Sequence, residues 1–351
     1  MPSKDQIASL KKEMTAYCEA HHIFGALRIT HHGRTTLEAA FGYADLEAKR
    51  PFSEDSLFSL YSISKTFCTL GLLKLSDAGR VDIDSHPARY VPEAQGLDGR
   101  VTIRHMLHHT SGLPDFGQNK EFADAHRPGT PDRIRAHLCE LKHYPQYFAP
   151  GTATMYANIN MILPALIIEN VSGLSYADYM KKEVFSPLGA KSILVDHEGL
   201  TQSNRVTGYE LSEDEATASP TKRCLDWMMG AGDLLGTVDD VYALFRAIQG
   251  RLLLKESTWK EVLTSAPINT FGMGCRLEPW HEKKCITHTG GHVGFRTLQK
   301  ILPDEDFDLI LLSNSGFGTA RADLSEMIFS AFFKEDSQRE NREIEMDKGY
   351  I

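Results

Sequence analysis

The stretch SISKTFCTLGLLKLSDAG, residues 62–79, turns almost continuously apolar at Phe67, Leu70, Leu72, Leu73 and Leu75 and closes on Gly79, a residue suited to the end of a helix. A helix that is apolar on most of its sides belongs inside a core. Upstream, Ile7, Leu10 and Met14 fall at helical spacing within 4–20, and β-compatible runs at 24–30 and 35–43 flank the polar turn His31-His32-Gly33. From 81 to 223 the pattern becomes one of short helices and loops rich in Pro, Gly and His. Helices are expected at 102–109, 131–141, 159–172 and 175–184, and strand signals are scarce there. After Met229 the β pattern returns at 271–277, 285–289, 295–302 and 307–313, followed by an amphipathic helix over 320–333. The expectation is an α/β domain built from both chain ends (1–80 and 224–333), interrupted by a mostly helical, all-α insertion (81–223). The charge-dense run 334–348, within a tail spanning 334–351, reads as a frayed end or a solvated helix.

At 351 residues, 42% hydrophobic and 24% charged, the chain can bury a large core, which excludes a disordered chain and a disulfide-stapled miniprotein. Thirty-eight Lys and Arg against 47 Asp and Glu give a net charge of −9, so the broadly basic footprint of a nucleic-acid binder is missing. No stretch approaches the ~18–20 consecutive apolar residues of a membrane span. The first fifteen residues lack the apolar centre of a signal peptide, so a cytoplasmic location is expected. Six cysteines, at 18, 68, 139, 224, 275 and 285, form no C-x-x-C pair and read as reduced, mostly buried thiols. The sequence leaves the oligomeric state open.

The chain holds no H-E-x-x-H, no P-loop and no G-x-S-x-G, against a zincin, a nucleotide triphosphatase of that type and an ordinary α/β-hydrolase. Gly230-Ala-Gly-Asp-Leu-Leu-Gly236 has the wrong spacing for a dinucleotide loop and reads as backbone flexibility. Ser-x-x-Lys occurs four times, at Ser9/Lys12, Ser62/Lys65, Ser219/Lys222 and Ser257/Lys260. Only Ser62/Lys65 opens a long apolar helix, where i, i+3 spacing stacks the ammonium one turn above the hydroxyl. A lysine desolvated there can accept the serine proton, while Ser62 as a plain N-cap with Lys65 reaching solvent is the structural alternative. Tyr156-Ala-Asn158 lies in a loop after the Pro150-Gly151 turn, and His288-Thr-Gly-Gly291 lies at a strand end. Taken singly, Tyr156 also reads as a half-buried phenol, Asn158 as a helix cap and His288 as a satisfied strand histidine. His105, His108 and His109 form one cluster of metal-ligand type, but no partner follows at ligand spacing, and no metal is expected.

In this order, Ser62-Ile-Ser-Lys65, Tyr156-Ala-Asn158 and His288-Thr-Gly290 resemble the three active-site motifs of the serine β-lactamase and penicillin-binding-protein superfamily, in its class C β-lactamase and D,D-carboxypeptidase branch. The likeness extends to residues 58–62, 107–114 and 230–240 and covers roughly residues 5–333. The resemblance implies an antiparallel sheet flanked by helices, no cofactor, and a small-molecule or short-peptide substrate. It implies Ser62 as acylated nucleophile, Lys65 as its proton acceptor, Tyr156 as general acid and base, and Asn158 as a group holding substrate or Lys65. His288, Thr289 and Gly290 would bind substrate, and the backbone N–H groups of Ser62 and Gly291 would form the oxyanion hole. His288 stands where the family more often carries Lys. Partly charged at neutral pH, it is expected to bind a substrate carboxylate less well as pH rises. The activity implied is that of a serine acyl hydrolase, a carboxylesterase or D-amino-acid/peptide amidase. β-Lactamase or D,D-carboxypeptidase activity, or a non-catalytic penicillin-binding or sensor protein, is the alternative.

Overall fold

The computed structural model describes residues 1–115, 134–135, 138–139, 141, 143–212, 218–221, 224–316 and 318–347. Both ends of the chain feed one six-stranded antiparallel sheet, ordered β2-β1-β11-β10-β9-β8. Its strands are β1 (Gly25–His31), β2 (Arg34–Phe41), β8 (Arg276–Leu277), β9 (Ile286–His292), β10 (Phe295–Leu302) and β11 (Phe307–Ser313). All seven residues of β11 are buried, as a strand covered on both faces requires. Its side chains alternate between two cores. Phe307, Leu309 and Leu311 join Leu10 and Met14 of helix α1 (Lys4–Ala20) and Leu324 and Ile328 of helix α6 (Gly318–Asp347). Ile310 and Leu312 join the second and larger core, built around helix α2 (Ser64–Asp77).

Helix α2 follows a short 3-10 turn at Tyr61–Ile63 and buries eleven of its fourteen residues, including Lys65. Helix α4 (Ile159–Ser172) packs beside it. Between them in sequence, helix α3 (Ile103–Leu107) is a shorter element than the run 102–109 suggests. Helix α5 (Val238–Gln249) crosses β11 on the larger-core side. No single helix among the described residues is long and apolar enough to cross a membrane.

Several expectations need correction. Strands are present between 81 and 223: β4 (Leu194–Val195) joins β3 (Phe58–Ser59) and β7 (Leu234–Gly236) in a small sheet, and β5 (Gly208–Leu211) pairs with β6 (Ala218–Thr221). Strands of two to four residues are too short to display a period of two, and Pro220 masks the last of them. The expected strand 271–277 shrinks to Arg276–Leu277, because a Cβ on Gly272 would lie 2.4 Å from the Val262 carbonyl and Gly274 has φ +69. The helix expected at 175–184 is present, as an α-helix at Tyr176–Met180 that continues into a wider π-helical stretch at Lys181–Phe185. The final helix runs past 333 to Asp347. The helix expected at 131–141 falls mostly outside the described residues.

Candidate active site

Ser62 sits in the 3-10 turn, and its surroundings hold that turn from both sides. The Leu60 N–H donates to the Leu234 carbonyl at 2.9 Å, and Thr297 Oγ1 of β10 donates to the Leu60 carbonyl at 3.0 Å. Tyr61, the residue before Ser62, is held at φ +48, a left-handed conformation that non-glycine residues adopt only where neighbours enforce it. Ser62 is therefore part of a braced turn and does not cap α2, whose N-cap position is Ile63.

Lys65, one turn on, does not reach solvent: it is 0% exposed. Its Nζ lies 3.0 Å from Ser62 Oγ, 2.9 Å from Asn158 Oδ1 and 2.5 Å from the Ala231 carbonyl. The amide and carbonyl oxygens can only accept, so both take protons from Nζ. The contact with Ser62 is the one whose direction can reverse. With two pure acceptors fixed on Nζ, the serine hydroxyl is the contact through which a proton can pass to the nitrogen, which is the arrangement a base needs. Gly230, at φ +71, supports the backbone conformation that brings the Ala231 carbonyl to Nζ.

Asn158 is oriented by a residue the sequence did not single out. Asp115 is buried and accepts from the Asn158 N–H at 2.8 Å, the Ile159 N–H at 3.2 Å and Asn158 Nδ2 at 3.1 Å. A carboxylate facing Nδ2 leaves Oδ1 as the atom that meets Lys65. Asp115 also satisfies N–H groups at the start of α4, which the Asn158 side chain leaves uncapped. The only signal for it was its place directly after the segment 107–114.

The Tyr156 ring lies beneath the Lys65 ammonium, 4.9 Å from Nζ to the ring centroid, and stacks on His109 at 4.5 Å. His109 is buried, and its Nδ1 accepts from the Ala157 N–H at 3.3 Å. His108 Nδ1 meets the Phe271 carbonyl and His105 Nδ1 accepts from the Thr102 N–H, so the three imidazoles have separate partners. Among the described residues no group of three or more His, Cys, Asp or Glu could hold a metal ion.

His288 lies near Tyr156, ring centroids 6.4 Å apart, and is buried. Burial and the nearby Lys65 charge push its pKa down to about 3. The expectation of partial charge near neutrality is thus corrected: the ring is neutral. Its Nδ1 lies 2.8 Å from the Thr289 carbonyl, an acceptor only, so Nδ1 carries the proton and Nε2 a lone pair.

The edge of β9 closes the site. A Cβ on Gly290 would fall 2.2 Å from Thr297 Oγ1, 2.3 Å from the Leu60 carbonyl and 3.1 Å from the Ser62 nitrogen, so only glycine allows this approach. The cleft in front of it, about 580 Å3, is lined by Ser62, Tyr156, Arg276, His288, Thr289 and Gly291, among others. The structure therefore gathers every residue singled out in the three motifs around Ser62, and adds Asp115, His109 and the Ala231 carbonyl.

A family model described as Beta-lactamase matches residues 10–330. The chain is 30% identical over 318 residues to penicillin-binding protein 4* of Bacillus subtilis (strain 168), covering 84% of this chain and 69% of that protein. It is 28% identical over 299 residues to D-aminopeptidase of Brucella canis, covering 83% of this chain and 56% of that protein. Among solved structures, D-amino acid amidase from Ochrobactrum anthropi SV3 complexed with L-phenylalanine superposes with a TM-score of 0.79 at 21% identity, covering 94% of this chain and 99% of the other.

Proposed function

Because the chain belongs to the Beta-lactamase family, we propose that it is a serine acyl hydrolase working through an ester on Ser62. The observation that carries this reading is the threefold engagement of Lys65 Nζ, in which the Ser62 hydroxyl is the only partner able to give up a proton. In the first half-reaction Ser62 Oγ attacks the substrate carbonyl carbon and its proton passes to Lys65. The carbonyl π bond opens to an oxyanion received by the N–H groups of Ser62 and Gly291. Collapse restores the carbonyl and expels the alcohol or amine, which takes a proton from Tyr156, and the proton held on Lys65 passes on to the phenolate, returning both groups to their starting forms. In the second half-reaction water attacks the ester carbonyl and gives a proton to the same relay, and collapse breaks the bond to Ser62 Oγ, which takes that proton back as the acid leaves.

Carboxylesterase or D-amino-acid/peptide amidase activity is the substrate reading we favour. It is supported by the likeness to the D-aminopeptidase and by a neutral His288, which supplies no ammonium for a substrate carboxylate. The likeness to a penicillin-binding protein favours the second reading, slow acylation by β-lactams. The cytoplasmic location is part of the same proposal.

Intact-protein mass spectrometry after brief incubation with a p-nitrophenyl ester, a penicillin and a fluorophosphonate tests both. Adducts on the native protein and none on Ser62→Ala are expected, with the ester turned over fastest. Equal labelling of Ser62→Ala contradicts the assignment of the nucleophile, and a stable penicillin adduct without ester turnover favours the second reading.

A further inference from the structure

The strand edge that carries Gly291 is gripped by a guanidinium for which the chemistry above has no use. Arg321, in the first turn of α6, donates through Nη1 to the Gly290 carbonyl at 2.8 Å and to the Thr297 carbonyl at 2.9 Å, residues paired directly across β9 and β10. This is a costly place for a cation. The first turn of a helix carries its partial positive charge and favours acids. Burial and the neighbouring charge of Arg296 both push the Arg321 pKa down. Among the described residues its charge is answered by backbone carbonyls and by no carboxylate.

Peptide geometry gives the arrangement a purpose. The Gly290 C=O and the Gly291 N–H belong to one planar trans peptide and point in opposite directions. That plane lies in β9, where pairing of Gly290 with Thr297 and of Gly291 with Arg296 already constrains it, and neither glycine has a side chain whose packing could hold it further. Arg321 lines the same cleft as Ser62, Gly290 and Gly291, and a hold on the Gly290 carbonyl constrains the direction of the Gly291 N–H in the same plane. A cation on the carbonyl also polarises the amide and strengthens its N–H as a donor.

We propose that Arg321 is a positioning residue of the oxyanion hole, fixing the Gly290–Gly291 peptide so that the Gly291 N–H meets the developing oxyanion. This rests on the acyl-Ser62 reading. The test is the infrared carbonyl stretch of a 13C=O-labelled acyl group on Ser62, measured with kcat and KM for a neutral ester in the native protein, Arg321→Gln and Arg321→Lys. A weaker oxyanion donor leaves the ester carbonyl less polarised. The expected result is a higher stretching frequency in Arg321→Gln and a kcat lowered about 10- to 100-fold with KM little changed. Arg321→Lys, which keeps a cation, should fall between the two and serves alone if the glutamine variant does not fold. Guanidinium added to Arg321→Ala should restore part of the lost kcat. Folded variants with native frequency and native kcat would show Arg321 to be a structural brace and overturn the proposal. A loss confined to KM for carboxylate-bearing substrates would overturn it in favour of direct substrate binding. If the native protein forms no adduct, the acyl-enzyme reading itself fails, an outcome visible before any variant is compared.

Discussion

Asp115 holds Asn158 at two points, its backbone N–H at 2.8 Å and its side-chain amide at 3.1 Å, across 43 residues of sequence. The same carboxylate thus starts α4 and decides which atom of Asn158 faces Lys65. Asp115→Ala leaves these groups without their acceptor and should cost about 2 kcal/mol of stability. Asp115→Asn keeps an oxygen for the helix N–H groups but presents its own amide to Asn158, inviting Asn158 to flip and turn a donor toward Lys65. It should fold almost normally and lose turnover on the order of 10-fold. Thermal unfolding and ester kinetics on both variants check this; full activity in Asp115→Asn would remove the orienting role.

His288, with its pKa pushed down to about 3, should remain a neutral imidazole through the working pH range. Nitrogen chemical shifts of labelled histidine between pH 5 and 8 read this directly, and a His288 titration near 6.5 would contradict it. The linkage has a definite sign. Between the unfolded value near 6.5 and the folded value, the unfolded chain binds the extra proton, so stability is lost as pH falls through that window. His31, pushed down to about 4 chiefly by burial, acts in the same direction. His288→Gln should flatten part of the acid limb of a urea-unfolding series.

Asp233 has the opposite sign. It is fully buried, and burial raises its pKa to about 7 against the opposing pull of the Gly230 and Asp233 backbone N–H groups. Its contribution is complete below the unfolded value of about 3.8 and is lost as pH rises through 7. Asp233→Asn, which has no charge to bury, should gain in Tm relative to the native protein on going from pH 5 to pH 8. An equal Tm difference at both pH values would show that Asp233 is not protonated in the folded state.

The sequence made the larger elements legible because each shows its period over many residues: α1, α2, α4 and the strands β9 to β11. The short strands β3, β4 and β7 escape because two or three residues display no period, and their pairing is decided by tertiary context. At the site, Ser62, Lys65, Tyr156, Asn158 and His288 are recognisable because their side chains matter. The Ala231 carbonyl is not, since any residue type supplies a backbone atom, and the Gly291 N–H is reached only through the family resemblance. Asp115 and Arg321 act across 43 and 31 residues, a relationship that no local pattern records. The charge of His288 was misjudged because burial, which sets it, is a property of the fold.

Proton transfer from Ser62 to Lys65 is the central claim, and the acylation rate of Lys65→Met tests it most directly. The substitution leaves an apolar chain of similar length in place of Nζ and removes the group that, among the described residues, engages the Ser62 hydroxyl. Acyl-ester formation, followed by rapid-quench mass spectrometry with a p-nitrophenyl ester and localised to Ser62 by peptide mapping, should slow by at least about 100-fold in the folded variant. Acylation of Ser62 at the native rate without Lys65 would contradict the account.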